Sequence, residues 1–104
     1  MRKEDLNIMA SVSLIENLKA DLISIIGDLF KLLAKGSNIA QDAILECISG
    51  AVIVLYLLAN RLGYSPYNVD ECVKSKLKDG IMEQDIIEKE GKDLSKLLKH
   101  FEEK

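Results

Sequence analysis

Ala43-Ile44-Leu45-Glu46-Cys47-Ile48-Ser49-Gly50-Ala51-Val52-Ile53-Val54-Leu55-Tyr56-Leu57-Leu58-Ala59 is the stretch whose reading decides the fold. It forms the middle of an apolar segment over residues 39–62, and a strand does not run this far without a turn signal. Length therefore decides for a helix. A helix that is apolar on most of its circumference must be covered on most sides or sit in lipid. Its polar residues are Asn38, Asp42, Glu46, Ser49, Tyr56 and Asn60, with Ile53 filling the gap. They recur in steps of three and four, which puts them on one line. The expectation is a buried central helix with a single polar seam.

On the N-terminal side, Leu14, Leu18, Leu22, Ile25, Leu29 and Leu32 repeat at helical spacing, widened by Ile15, Ile26, Phe30 and Leu33. Asn17, Asp21, Ser24, Asp28, Lys31 and Lys35 run along the opposite side. Ser13 followed by Glu16 is a capping-box pattern, so this first helix is expected to start at Ser13 behind a polar lead-in. Gly36 is its stop, and Ser37-Asn38 with Gln41 supplies the next cap. So short a connection makes the two helices antiparallel neighbours, an αα-hairpin.

On the C-terminal side, the central helix is expected to end near Arg61, with Gly63 as its stop. Ser65-Pro66 restarts the chain, with Ser as N-cap and Pro at the first helical position. A third helix over residues 66–78 would turn Val69, Cys72, Val73 and Leu77 inward. Lys74, Lys76 and Lys78 would fall in its last turns, where cations complement the dipole, and Gly80 would break it. The tail carries Ile86, Ile87, Leu94, Leu97, Leu98 and Phe101 around Gly91, which predicts a short helix, a kink and a final helix from about Asp93.

The 104 residues suit one domain, with a helical core over about 13–80 and a C-terminal extension over about 81–104. A chain that is 48% hydrophobic but only 5% aromatic, with one Pro, fits a helical bundle rather than a sandwich. Its net charge of −3 comes from interleaved acids and bases, so no basic patch points to a nucleic-acid polymer. Cys47 and Cys72 lack zinc-type spacing and read as reduced core thiols. No apolar run behind Met1 resembles a signal peptide, and a cytoplasmic location is expected. The apolar run is a little short for a span of ~20 residues and carries Glu46, so no membrane association is expected.

Counted from Ser37, Asp28 lies nine residues before the turn and Glu46 nine after it, so the two acids stand at similar heights on the hairpin. Asp42 is one turn from Glu46. Carboxylates converging across a helical hairpin are how bundles hold divalent cations, which makes Asp28, Asp42 and Glu46 the candidate metal ligands and Mg²⁺ the candidate ion. The competing reading is that Lys31 and Lys35 neutralise these acids on a solvated face.

Val54-Leu55-Tyr56-Leu57-Leu58-Ala59-Asn60-Arg61-Leu62-Gly63, with Ile26-Gly27-Asp28-Leu29 and Lys35-Gly36 before it, resembles the MazG-like branch of the all-α nucleotide pyrophosphohydrolases. The similarity covers roughly residues 14–80 and implies Mg²⁺-dependent hydrolysis of nucleoside triphosphates to the monophosphate and pyrophosphate. The family holds its metal with an E-x-x-E motif on the first helix and an E-x-x-D motif on the second. Here the first pair falls on Ile25 and Asp28, and the second on Cys47 and Gly50, with Glu46 matching an extra Glu that often precedes it. A slip of one residue would place the second pair on Glu46 and Ser49. The resemblance also implies nucleotide contacts from Asn60, Lys76 and Lys78. Capping at a helix end and dipole complementarity explain the same three residues without a ligand.

The expected fold is therefore all-α, a MazG-like helical hairpin whose four-helix core is completed by a second copy in a homodimer or homotetramer. Helix one and helix three can each cover only one side of helix two. The expected function is that of the pyrophosphohydrolase family with activity weakened or lost, since most metal-ligand acids are replaced. A non-catalytic oligomeric scaffold or nucleotide-binding protein is the alternative. No catalytic residue is assigned.

Overall fold

A computed structural model describes residues 3–36 and 41–103, with the side chains of residues 3–8 and 10 left aside. The described chain is all-α, with no strand: α1 (Lys3–Ala34), α2 (Gln41–Arg61), α3 (Pro66–Met82), α4 (Ile86–Gly91) and α5 (Asp93–Glu102). These helices fall into two compact units, Met1–Tyr64 and Ser65–Lys104.

In the first unit, α1 and α2 form the expected hairpin. On α2 the buried and half-buried positions include Ala43, Cys47, Gly50, Ala51, Val54 and Leu58, a three-four repeat of mostly small residues. On α1 they include Leu14, Leu18, Leu22, Ile25, Leu29 and Leu32, so large side chains pack against a small-residue stripe. Leu18 and Val54 are the buried hydrophobics of this unit. The turn residues Ser37 and Asn38, expected to cap α2, lie outside the described residues.

Two expectations for this unit need correction. α1 does not begin at Ser13 but runs back to Lys3. The capping box does not form because the helix runs unbroken through Ser13, with no Gly or Pro in residues 3–12, so no free N–H groups remain there to cap, and Glu16 pairs forward with Lys19 at 3.0 Å. Nor is α2 buried within one chain. Leu45, Ile48, Val52, Ile53, Leu55 and Leu57 are all exposed, as are three of the four residues meant to widen the apolar face of α1, Ile26, Phe30 (64%) and Leu33 (52%), while Ile15 is half-buried. A hairpin gives each helix only one neighbour, which covers one stripe and leaves the rest open.

In the second unit, Ser65 and Asn68 form a full capping box: the Asn68 N–H donates to Ser65 Oγ at 3.1 Å, and the Ser65 N–H donates to Asn68 Oδ1 at 3.0 Å. Pro66 follows at the start of α3. Leu77 is buried and Val69 and Val73 are half-buried, but Cys72 is exposed rather than a core thiol. Gly80 does not break α3, which continues to Met82. Its role is close approach: a Cβ on Gly80 would stand 2.8 Å from Leu94 Cδ1, so the missing side chain makes room for α5 against α3. Lys74, Lys76 and Lys78 consequently do not occupy the last turn, and Lys74 pairs with Glu71 at 3.3 Å.

The expected kink between the last two helices falls at Lys92, which adopts a left-handed conformation (φ 55°). Lys92 offers no side-chain cap to α5. Glu88 supplies one from α4 instead: its carboxylate accepts from Ser95 Oγ at 2.7 and 2.9 Å and from the Ser95 N–H at 3.1 Å. An acid beside the first turn of a helix satisfies an orphan donor and complements the positive dipole end. At 8% exposure, Glu88 is the buried charged residue of the described chain.

Candidate functional site

The hairpin of α1 and α2 encloses an open groove of about 590 Å³ lined by Ile25, Asp28, Lys31, Leu32 and Lys35 from α1 and Ala43, Glu46, Cys47 and Gly50 from α2. Antiparallel pairing on either side of the turn brings Asp28 and Glu46 to it, as the equal spacing from residue 37 predicts. The floor is set by Ile25 and Gly50, where a Cβ on Gly50 would lie 3.6 Å from Ile25 Cδ1, an ordinary van der Waals distance. Ile25, Asp28, Cys47 and Gly50 thus share one groove, whereas Ser49 is exposed and does not line it.

Asp42 is the member of the candidate metal set that the fold leaves out. It is exposed in the first turn of α2 and does not line the groove, although it lies one turn from Glu46, which does. The three-acid convergence does not form: among the described residues, no three of His, Cys, Asp and Glu are grouped so as to hold a metal ion. Lys31 and Lys35 stand in the groove with the remaining two acids, and among the described residues neither lysine forms an ion pair.

Asn60, Lys76 and Lys78 are all exposed. Asn60 sits one residue before the end of α2, where its backbone carbonyl accepts the Gly63 N–H at 3.1 Å and Gly63 (φ 99°) turns the chain out of the helix. Lys76 and Lys78 lie within α3, in the second unit. The groove lysines and the Glu88–Ser95 arrangement were not singled out as ligand or capping groups from sequence. The spacing of Lys31 and Lys35 along the polar line of α1 was the available signal for the first. For the second there was none, because the backbone reversal at Lys92 creates it.

An all-α hairpin with acids and lysines gathered between two antiparallel helices defines the class as a helical-bundle protein. Residues 8–94 match the MazG-like family, and the chain belongs to that family. No curated protein and no solved structure matches the chain.

Proposed function

We propose that this MazG-like protein has had the Mg²⁺-dependent hydrolysis of nucleoside triphosphates to monophosphate and pyrophosphate weakened or lost. One observation carries the reading. The positions that the family resemblance assigns to the metal ligands, Ile25, Asp28, Cys47 and Gly50, line one groove, and Asp28 is the only carboxylate among them. Mg²⁺ requires near-octahedral oxygen coordination and dehydrates reluctantly, so it is held by carboxylates together with waters and phosphate oxygens. Asp28 and Glu46 beside an Ile25–Gly50 contact supply two carboxylates where the family motifs supply four, and the apolar groups in place of the others offset none of the cost of stripping water from the ion.

Pyrophosphate release from a panel of ribo- and deoxyribonucleoside triphosphates in MgCl₂ tests the reading. Turnover at background is expected. Turnover abolished by Asp28→Ala or Glu46→Ala would mean that the groove still performs the chemistry. In that case Asn60, Lys76 and Lys78 become the first residues to examine for nucleotide contacts.

A second reading, a homo-oligomeric helical scaffold in the cytoplasm, is favoured by the open apolar surface of the hairpin, on which Ile23 is 73% exposed and Leu45 62%. A second copy laid against these faces would complete a four-helix core, as a dimer or as a dimer of dimers. α2 is long and apolar enough to cross a membrane by length and composition. However, the family match runs through α2 from end to end, which supports a core helix of a bundle. Detergent-free fractionation separates the two: protein in the soluble fraction as an oligomer supports the scaffold, and pelleting with membranes counts against it.

A further inference from the structure

We infer that α4 and α5, in the second unit, are a latched hinge. When the Glu88–Ser95 clasp opens, Lys92 leaves the left-handed region and the two helices fuse into one, residues 86–102, that pairs along α3.

The bend at Lys92 has no local cause. The left-handed residue that ends a helix is most often a glycine, because a Cβ there crowds the following carbonyl oxygen. Here the glycine, Gly91, stands one residue too early, inside α4, and the lysine takes the left-handed turn. The local sequence favours a straight helix instead. Glu88 and Lys92 are an acid–base pair at i, i+4 in the better of the two orientations, and Lys89 and Asp93 are a second oppositely charged pair at the same spacing. Ile87 falls in helical step with Leu94, Leu98 and Phe101, the half-buried side of α5, yet the bend leaves Ile87 52% exposed.

What holds the bend is tertiary. The buried Glu88 carboxylate accepts from Ser95 Oγ and the Ser95 N–H, and Leu94 fills the space that Gly80 leaves on α3. In a straight helix the Ser95 N–H bonds to the Gly91 carbonyl four residues before it and has no need of Glu88.

The straight form has a packing of its own. The six residues of α4, Lys92 and the ten of α5 make seventeen, the length of α3. With residues 83–85 as the connection, the product is a helical hairpin with equal arms. Residues equally far from position 84 then stand level: Ile81 with Ile87, Leu77 with Gly91 and Val73 with Ser95. At the last two levels a larger side chain faces a smaller one, as close packing of two helices needs. Two packings of one sequence, one of them latched, are the form that a conformational switch takes.

Nuclear magnetic resonance of the full chain tests the hinge, with Gly80→Ala/Glu88→Ala to open the latch. The added methyl group meets Leu94 Cδ1 at 2.8 Å, and loss of the carboxylate releases Ser95. The Lys92 Cα shift is expected to move to the right-handed helical range. Amide exchange at Asp93 and Leu94 is expected to slow at least ~10-fold, as their N–H groups gain partners four residues back. Adding Lys92→Gly should reverse both changes, because glycine accepts the left-handed turn and weakens a helix interior. A Lys92 that stays left-handed in the double variant would overturn the inference. So would an α5 whose amides all exchange at the free-chain rate while α3 stays protected. If the double variant does not fold, carbon-13 saturation transfer on the unsubstituted chain decides: a minor state with right-handed Lys92 is expected, and its absence would overturn the hinge.

Discussion

Ile25 and Gly50 meet across the helical hairpin, with Ile25 Cδ1 3.6 Å from the point where a Cβ on Gly50 would stand. An apolar contact thus occupies the ground between α1 and α2 about one helical turn beyond Asp28 and Glu46. At that distance a methyl group fits. Gly50→Ala is expected to raise stability by about 0.5–1 kcal/mol, because Gly is a poor residue in a helix interior and no neighbour must move. Gly50→Asp sets a carboxylate against Ile25 and is expected to lower stability by about 1–3 kcal/mol. Urea denaturation of the two variants checks both signs.

Restoring the acids as a set should reverse the outcome. In Ile25→Glu/Cys47→Glu/Gly50→Asp, with Asp28 kept, four carboxylates share the groove. MgCl₂ is then expected to raise the thermal midpoint beyond the effect of KCl at equal ionic strength, by mass action on the folded state. The unsubstituted chain should show no such difference. Differential scanning calorimetry of both proteins makes the comparison, and a Mg²⁺-specific rise in the unsubstituted chain would count against the account.

Glu88 is expected to matter through Ser95. Glu88→Ala leaves the Ser95 N–H at the start of α5 without its acceptor and should cost about 1–3 kcal/mol. Glu88→Gln keeps an acceptor oxygen and loses the charge near the helix dipole, so its cost should be smaller. Ser95→Ala keeps the backbone donor and should also fall below Glu88→Ala. The order of the three denaturation midpoints is the readout.

The uncovered face of the hairpin yields a prediction about assembly. Sedimentation equilibrium should find a dimer or tetramer for the unsubstituted chain, and a smaller species for Phe30→Glu or Val52→Glu. Both residues are exposed within one chain, so a charge there costs the isolated fold little and a covered interface much. A monomeric unsubstituted chain would remove the scaffold reading.

Local signals with one interpretation were legible in the sequence. The apolar run around Val54 required a helix by its length, Ser65-Pro66 marked the start of α3, and the equal spacing of Asp28 and Glu46 from residue 37 brought them to one groove. Signals with two interpretations misled. Ser13 and Glu16 fit a capping box, but the same pattern is compatible with the interior of a helix that begins ten residues earlier, at Lys3. Gly80 fits a helix stop, but the same missing side chain serves close packing against Leu94. Asp42 was one helical turn from Glu46 along the chain, yet facing α1 depends on the orientation at the start of α2, which sequence spacing to Glu46 alone did not fix. The Glu88–Ser95 cap was beyond reach because it depends on the left-handed turn at Lys92, a conformation that a lysine gives no sign of adopting.

The central claim is that the hairpin has exchanged a cation site for an apolar contact flanked by Asp28 and Glu46. The most direct measurement is Mn²⁺ located by anomalous scattering in soaked crystals of the full chain. The account predicts no ordered ion between α1 and α2. An ordered Mn²⁺ there, held by three or more carboxylates from one copy or from two, would contradict it.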